Sequence, residues 1–145
     1  MATDLSPEAV ELAADNLAAH GASDLVTVAV SDLLDPIGPI DPRADVVVAN
    51  LPYVRSAEVA TGAGSLAWEP VTALDGGPDG VDPIRGLLNR LPRRLADNGS
   101  VILEVGAGQA DRVREMFGAL PGSWSVSTVR DLGGHERIVR GERVA

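Results

Sequence analysis

The chain has 145 residues, of which 45% are hydrophobic and none is cysteine, and its formal net charge is −9. This size suits one domain, the lack of cysteine excludes disulfides and thiolate metal sites, and the acidic balance disfavours broad binding to nucleic acid. No apolar run of the sequence approaches the roughly 20 residues of a membrane span. We therefore expect a cytoplasmic protein with no metal site and no membrane association.

The first 30 residues predict a strand, a helix and a second strand. The chain begins almost inside an element that ends at Asp4. Ser6 is a good helix N-cap and Pro7 suits the first turn, so a helix is expected from here to a stop at Gly21. The apolar run over residues 25–30 then predicts a strand.

Residues 45–50, Asp-Val-Val-Val-Ala-Asn, form a β-branched run that is typical of a strand buried on both faces of a parallel sheet. Residues 51–78 contain many glycines and prolines. A segment of this length within a small domain is usually a lid or a binding loop. The sequence therefore predicts a functional loop directly after a central strand.

The second half alternates between helices and strands and predicts an α/β fold. A helix is expected from Asp82 to about Ala96, a break at Asn98-Gly99, a strand over residues 100–105, and a helix over about 109–117. The remaining sequence reads as two strands joined by a turn, which predicts a C-terminal antiparallel hairpin.

Asn50-Leu51-Pro52-Tyr53 is the clearest candidate for chemistry. An amide follows the predicted strand, at the edge where open α/β sheets bind ligands. The Asn50 side-chain oxygen and a carbonyl near Leu51 or Pro52 can accept both hydrogens of a planar amide or amino group, which localises the nitrogen lone pair, and the Tyr53 ring can cover that nitrogen. The pattern favours methyl transfer to such a nitrogen, although a simple strand and turn can have the same four residues.

The neighbouring motifs occur in a consistent order along the chain and extend this pattern. They are Asn50-Leu51-Pro52-Tyr53, Glu69-Pro70, Ala73-Leu74, Gly76-Gly77, Asp79-Gly80, Arg85, Leu103-Glu104-Val105-Gly106, Gln109 and the segment Arg-Asp-Leu-Gly-Gly-His-Glu-Arg from residue 130. Together they resemble the HemK/PrmC family of S-adenosylmethionine (SAM)-dependent N5-glutamine methyltransferases, which modify peptide chain release factors.

This resemblance implies a Rossmann-like class I SAM-dependent methyltransferase fold, with a release factor as the protein substrate. Asn50, Pro52 and Tyr53 correspond to the catalytic motif, and Leu51 replaces the proline that the family usually has there. The same four residues and Glu69 are expected to contact the substrate.

The resemblance also assigns the cofactor residues. Asp4 is expected to bind the ribose hydroxyls of SAM, Asp32 and Leu33 to flank its adenine, and Asn50 to border the cofactor. The segment Ser-Val-Ile-Leu-Glu-Val-Gly-Ala-Gly-Gln-Ala (residues 100–110) looks like a glycine-rich cofactor loop, but the family's own loop lies upstream of the part matched here.

A circularly permuted methyltransferase is an alternative, in which residues 100–110 are the true cofactor loop and Asp131 binds ribose. Ala110 stands where a third glycine is expected, and that reading gives Asp4 and Asp32 no role. Both details favour the unpermuted interpretation.

Relative to the family, residues 1–145 read as a single, partial catalytic domain. The N-terminal substrate-recognition domain and the first strand with its glycine loop are expected to be absent, so SAM binding should be weak or lost. Exposed sheet edges would then allow self-association.

Two other functions stay open at this point. Ribosomal RNA adenine N-methyltransferases also carry Asn-Leu-Pro-Tyr, and a non-catalytic binding module would need no cofactor. Glu69-Pro70 and the following Gly-Gly-x-Asp-Gly pattern favour the glutamine enzymes over the RNA enzymes.

Overall fold

The computed structural model describes residues 1–35, 43–62 and 68–144. The chain divides into two compact units, Met1–Asp41 and Pro42–Ala145. The elements in chain order are β1 (Ala2–Asp4), α1 (Pro7–Ala19), β2 (Val28–Val30), β3 (Ala44–Ala49), α2 (Ser56–Val59), α3 (Val71–Leu74), α4 (Asp82–Arg94), β4 (Leu95–Glu104), α5 (Ala110–Phe117), β5 (Ser123–Arg130) and β6 (Glu136–Val144).

In the first unit, β1 and β2 pair in parallel and α1 connects them. The helix begins as predicted, because the Ser6 hydroxyl accepts a hydrogen bond of 3.1 Å from the Ala9 N–H. The second strand is shorter than predicted, since the N–H groups of Leu25 and Val26 both bond to the Ala22 carbonyl. That turn after the helix uses the backbone groups that a longer strand would need.

The second unit contains a four-stranded sheet in the order β3-β4-β6-β5. β3 and β4 are parallel, whereas β6 runs antiparallel to both β4 and β5. The predicted C-terminal hairpin is therefore confirmed. Because β3 and β4 are parallel, the residues that follow them emerge at the same edge of the sheet.

The core of this unit lies between the sheet and the helices α4 and α5. Val47 on β3 faces this core with 8% of its surface exposed, whereas Val46 and Val48 are 55% and 72% exposed. The prediction that this strand is buried on both faces is wrong. Successive side chains of a strand point to opposite faces. The core residues listed next lie on the one face of the sheet that α4 and α5 cover, or on the elements packed against that face. They are Val47, Leu74, Val81, Ile84, Leu87, Leu88, Leu91, Leu95, Val101, Leu103, Val105, Ala110, Val113, Phe117 and Val139.

The junction between α4 and β4 also differs from the prediction. The helix ends at Arg94 and the strand begins at once with Leu95, which pairs with Ala44. The register then shifts, and the next pair joins Val46 to Ser100. Asn98 adopts a φ of +69° inside this irregularity, so the predicted break at Asn98-Gly99 is a bulge within a longer strand.

Across residues 1–35, 43–62 and 68–144, no helix combines the length and the apolar character needed to cross a membrane.

Candidate functional site

The tetrapeptide Asn50-Leu51-Pro52-Tyr53 follows β3 directly, at the carboxyl edge of the parallel pair. Asn50 is exposed, and Leu51, Pro52 and Tyr53 are half-buried. Among the described residues, the Asn50 side chain forms no hydrogen bond within the protein. Its amide oxygen is therefore free to accept hydrogen bonds from a ligand.

Backbone hydrogen bonds fix the chain immediately after Tyr53. The Val54 N–H donates to the Leu74 carbonyl at 2.9 Å, and the Gly76 N–H donates to the Val54 carbonyl at 2.8 Å. Val54 and Asp75 thus form a short parallel bridge. This bridge joins the predicted loop near its two ends. The described part of that loop, residues 51–62 and 68–78, also contains the short helices α2 and α3.

Asp75 reinforces the same bridge through its carboxylate. Its Oδ1 accepts hydrogen bonds from the Ser56 hydroxyl at 2.7 Å and from the Gly77 N–H at 2.9 Å. The hydrogen bond from Ser56, then that from Gly77, lowers the pKa of Asp75 below its ordinary value against the opposing effect of burial. The charged carboxylate therefore joins the segment after Tyr53 to residues 76–80, which precede α4 and are called the glycine turn below.

Three glycines surround Tyr53 so closely that larger residues would not fit. A Cβ at position 76 would lie 2.8 Å from the Tyr53 Cα, a Cβ at 80 would lie 2.6 Å from the Tyr53 carbonyl oxygen, and one at 106 would lie 3.1 Å from the ring atom Cδ2. Contacts below 3.0 Å force a neighbour to move. These glycines therefore determine where Tyr53 sits.

Gln109 connects the same three segments through its side chain. Its Nε2 donates to the Tyr53 carbonyl at 2.9 Å and to the Gly80 carbonyl at 3.2 Å. Its Oε1 accepts from the Gly106 N–H at 2.8 Å. One side-chain amide thus satisfies three backbone groups from different parts of the sequence.

Asp79 links the glycine turn to both α4 and α5. Its Oδ2 is 3.0 Å from Arg85 Nη2 and 2.6 Å from Arg112 Nη2, while Oδ1 accepts from the Val81 N–H at 3.2 Å. Partial burial raises the pKa of Asp79, but the hydrogen bonds from Arg85 and Val81 and the charges of Arg112 and Arg85 outweigh it and lower that pKa. Arg85 also pairs with Asp82.

The glycine-rich segment 100–110 has a hydrogen bond within the protein at its first glycine. The Gly106 N–H is already bound by Gln109. Asp131, the ribose ligand of the permuted alternative, accepts from the Gly133 and His135 N–H groups at 2.9 Å each and pairs with Arg137. The strand before the segment has an antiparallel neighbour, whereas the central strand of a doubly wound sheet has parallel neighbours on both sides. These findings oppose the permuted interpretation.

The predicted cofactor residues of the first unit share one edge of its strand pair. Asp4 ends β1, and Asp32 and Leu33 follow β2, whose last residue Val30 pairs with Asp4. Asp4 Oδ1 accepts from the Ser6 N–H at 2.8 Å. Leu33 has a φ of +57°, and its carbonyl accepts from the Thr3 hydroxyl at 3.0 Å. A leucine in this left-handed region is uncommon, and such residues concentrate at functional sites.

Glu69, the fifth predicted substrate residue, is exposed just before α3. Among the described residues, no hydrogen bond or ion pair ties it to residues 50–53. The described residues also contain no group of three or more side chains suited to a metal ion.

From the sequence, Gln109, Gly76-Gly77 and Asp79-Gly80 are recognisable only as members of the family motifs, with no individual role. The Gln109 side chain bonds to the carbonyls of Tyr53 and Gly80, which lie 56 and 29 residues away from it in the chain. The available signal was the presence of these residues in the motifs that carry the family resemblance.

No protein-family model matches the chain. Its fold is similar to that of the ribosomal protein L11 methylase of Lactobacillus delbrueckii subsp. bulgaricus, with a TM-score of 0.67 and 18% identity over 99% of this chain and 56% of that one. It is also similar to a SAM-dependent O-methyltransferase of Thermotoga maritima, with a TM-score of 0.54 and 14% identity over 99% of this chain and 49% of that one. The fold is that of the class I SAM-dependent methyltransferases, in partial form.

Sequence comparison with curated proteins shows which methyltransferases of this class the chain is similar to. The chain is 36% identical over 140 residues to the release factor glutamine methyltransferase of Cereibacter sphaeroides, covering 96% of this chain and 49% of that protein. It is 39% identical over 123 residues to the ribosomal protein uL3 glutamine methyltransferase of Bradyrhizobium diazoefficiens, covering 85% of this chain and 38% of that protein. The resemblance found in the motifs is confirmed: the chain is related by sequence to the glutamine methyltransferases of the HemK/PrmC family.

The match does not extend over a whole relative. The chain spans about half the length, or less, of the curated glutamine methyltransferases named here.

Proposed function

We propose that this chain carries the methyl-transfer site of a SAM-dependent enzyme that methylates the side-chain amide nitrogen of a glutamine in a peptide chain release factor. The observation that carries this proposal is the exposed Asn50 amide close in sequence to Tyr53. The peptide group between Tyr53 and Val54 is held by hydrogen bonds to the Gln109 side chain and the Leu74 carbonyl. A free acceptor next to an immobilised aromatic residue is suited to orienting a small planar group. The sequence relatives named above support the same reaction.

The chemistry requires control of a weak nucleophile, because the lone pair of an amide nitrogen is delocalised into its carbonyl. The Asn50 Oδ1 and the carbonyl of Leu51 or Pro52 would each accept one hydrogen of the substrate NH2 group. Two fixed acceptors would localise the lone pair and aim it at the methyl donor. The Tyr53 ring would cover the nitrogen and favour the positive charge near it. The carbon–sulfur bond of SAM would break as the carbon–nitrogen bond forms, S-adenosylhomocysteine would leave, and the proton would pass to solvent afterwards, so no general base is needed before the transfer.

The residues of the first unit fit the cofactor. Asp4 is exposed at a strand end, and among the described residues its Oδ2 has no hydrogen-bond partner, so it can accept from ribose hydroxyls. The Leu33 backbone, held in its left-handed conformation, and Asp32 would border the adenine. When bound, SAM supplies an electrophilic methyl group on a positively charged sulfur.

Ribosomal protein uL3 is a second candidate acceptor, favoured by the 39% identity to the Bradyrhizobium enzyme. It presents the same glutamine amide chemistry, so the proposed roles of Asn50 and Tyr53 would not change. Ribosomal RNA is less favoured because the chain is acidic and would repel a phosphate backbone.

The test is transfer of a labelled methyl group from SAM by the full chain to three acceptors offered separately: a class I release factor, uL3 and ribosomal RNA. We expect slow labelling of a glutamine of the release factor, in line with the weak SAM binding expected from the sequence, and no labelling of a release factor variant that lacks its acceptor glutamine. Labelling of RNA alone would overturn the proposal. Labelling of uL3 alone would support the proposed glutamine methylation but identify uL3, and not the release factor, as the substrate.

The same experiment addresses the binding-module alternative. A chain that binds a release factor stably without SAM and transfers no label would support that alternative over the enzyme. Self-association through β3, the terminal strand of the four-stranded sheet, remains a prediction. Size-exclusion chromatography at several protein concentrations measures it.

A further inference from the structure

We propose that Gln109 is a positioning residue for the proposed methyl transfer: it holds the Tyr53 peptide group in the orientation that the substrate clamp needs. This inference rests on the proposed function for its catalytic consequence, but its structural part can be tested separately. It also gives a role to the glycine-rich segment 100–110, which resembles a cofactor loop.

The Tyr53–Val54 peptide group is held at both ends. Gln109 Nε2 donates to its carbonyl oxygen at 2.9 Å, and its N–H donates to the Leu74 carbonyl at 2.9 Å. A peptide unit is planar, so fixing both ends fixes the plane. The direction of the preceding Leu51 and Pro52 carbonyls then depends on few remaining torsions.

Gln109 is itself held so that it cannot easily turn away. It lies at the N-cap position of α5, and its Oε1 accepts from the Gly106 N–H at 2.8 Å. Its Nε2 has a second acceptor in the Gly80 carbonyl at 3.2 Å. Both hydrogens and the oxygen of the amide are therefore engaged, and losing the side chain would leave three backbone groups without this partner.

The absence of side chains at Gly80 and Gly106 leaves room for the Gln109 amide. A Cβ at position 80 would collide with Gln109 Nε2, and a Cβ at 106 would lie 2.9 Å from Gln109 Oε1. One turn further along α5, Arg112 pairs with Asp79 at 2.6 Å. The helix that carries Gln109 is thus tied to the same glycine turn at a second point.

The amino-acid composition makes the test selective. Gln109 is the only glutamine, Tyr53 the only tyrosine and Phe117 the only phenylalanine of the chain. Labelling these three residue types therefore gives three assigned NMR probes. Gln109 reports its own side-chain amide, Tyr53 reports the site, and Phe117, which contacts Trp124 with ring centroids 5.4 Å apart, reports the fold elsewhere.

In the unmodified full chain, we expect the Gln109 side-chain NH2 protons to exchange with solvent at least about tenfold more slowly than in a free peptide, because both are bonded to carbonyls. Exchange at the free-peptide rate would overturn the proposal. This measurement needs no variant, so it decides the matter even if a substitution unfolds the protein.

Two variants both remove the donor group of Gln109, and one of them keeps the acceptor. Gln109→Met keeps the length and removes all three bonds, whereas Gln109→Glu keeps an acceptor for Gly106 and loses the donor. We expect both to shift the Tyr53 ring resonances and leave those of Phe117 unchanged. The control Asn89→Met, at an exposed amide on α4, should change neither probe. Unchanged Tyr53 resonances in Gln109→Met would contradict the proposal.

For methyl transfer, we expect both Gln109 variants to reduce kcat roughly tenfold to a hundredfold with the KM for SAM unchanged, as for misplacement of a reacting group. A purely structural role would instead change stability and leave kcat of the folded fraction unaltered. If the unmodified chain transfers no methyl group at all, the proposed function fails, while the exchange and resonance measurements still decide the position of Tyr53.

Discussion

Asp79 and Arg112 form an ion pair with 2.6 Å between carboxylate Oδ2 and guanidinium Nη2, and this pair joins the turn before α4 to α5. Arg85 reaches the same oxygen from α4 at 3.0 Å. A single carboxylate therefore lies where two helices and the glycine turn around Tyr53 meet. Its charge state affects both the stability of the second unit and the position of the candidate site.

The first prediction concerns Asp79→Asn and pH. The pKa of Asp79 is lowered in the folded protein from its ordinary value of 3.8, so the folded state binds its proton less readily than the unfolded state. The carboxylate then stabilises the fold above pH 3.8, and this contribution is lost as the pH falls through the lower, folded pKa. We expect the variant to be less stable than the unmodified chain near neutral pH and the difference to shrink below pH 3.8.

Urea unfolding followed by circular dichroism at several pH values measures this effect. Asp111→Asn is a suitable control, because within the described part of the chain Asp111 forms an ion pair with Arg114 alone, on the exposed surface of α5, with 79% of its side chain exposed. If the stability difference between Asp79→Asn and the unmodified chain stays constant down to the lowest pH, the charge of Asp79 does not contribute to the free energy of unfolding.

The second prediction concerns Gly106→Ala. The added Cβ would lie 2.9 Å from Gln109 Oε1 and 3.1 Å from Tyr53 Cδ2, so the ring or the amide must move. We expect a destabilisation of about 1–3 kcal/mol, as for other overpacked sites, and a change in the Tyr53 ring resonances. Urea denaturation and the selective NMR label measure the two effects.

Gly118→Ala is the matched control, since Gly118 has a φ of −65° and a Cβ there meets only the Glu115 carbonyl oxygen, at 3.3 Å. Its stability should change by no more than about 0.5 kcal/mol. Equal effects of the two substitutions would mean that the close packing around Tyr53 carries no special cost.

The third prediction is that Asn50→Ala removes transition-state stabilisation on the order of 2–4 kcal/mol, comparable to the loss of one oriented hydrogen-bonding group in an acyl-transfer site. Since Asn50 is exposed, the urea midpoint should stay unchanged. The kcat for methylation of the release factor, compared with that of Asn89→Ala, is the measurement. Normal turnover by Asn50→Ala would remove this residue from the mechanism.

The fourth prediction concerns Asp4→Ala and SAM. A charged acceptor for the ribose hydroxyls would be lost, which typically costs about 1.5–3 kcal/mol of hydrogen bonding. We expect the affinity for SAM to fall at least about tenfold by calorimetry. Asp15→Ala, at an exposed position of α1, should leave the affinity as it is. If both variants bind SAM equally well, Asp4 does not hold the cofactor.

Much of the fold follows from local sequence. Ser6 and Pro7 specify the start of α1, because a cap and a fixed φ act on the nearest turn. The turn at Asp131 specifies the hairpin for a similar reason, since its carboxylate accepts from N–H groups two and four residues along the chain. The position of Asn50-Leu51-Pro52-Tyr53 after a strand was also predicted correctly.

The sequence alone could not determine which of the two faces of β3 is covered by other elements. Val46, Val47 and Val48 have the same side chain, yet only Val47 is buried. Their burial depends on the helices that pack against the sheet, and those helices are distant in sequence. A run of valines therefore predicts a strand but not the number of its buried faces.

By itself, then, the sequence determined the order of the strands and of the three longer helices, the relationship to the glutamine methyltransferases, and the position of Asn50-Leu51-Pro52-Tyr53 after a strand, because each depends on residues that are neighbours in the chain. Only the tertiary structure decided that the glycine-rich turn after β4 serves Tyr53 and that Gln109 makes the connection. The hydrogen bond between Gln109 and Tyr53 joins groups 56 residues apart, and such a contact forms only when packing brings separate segments to the same edge of the sheet.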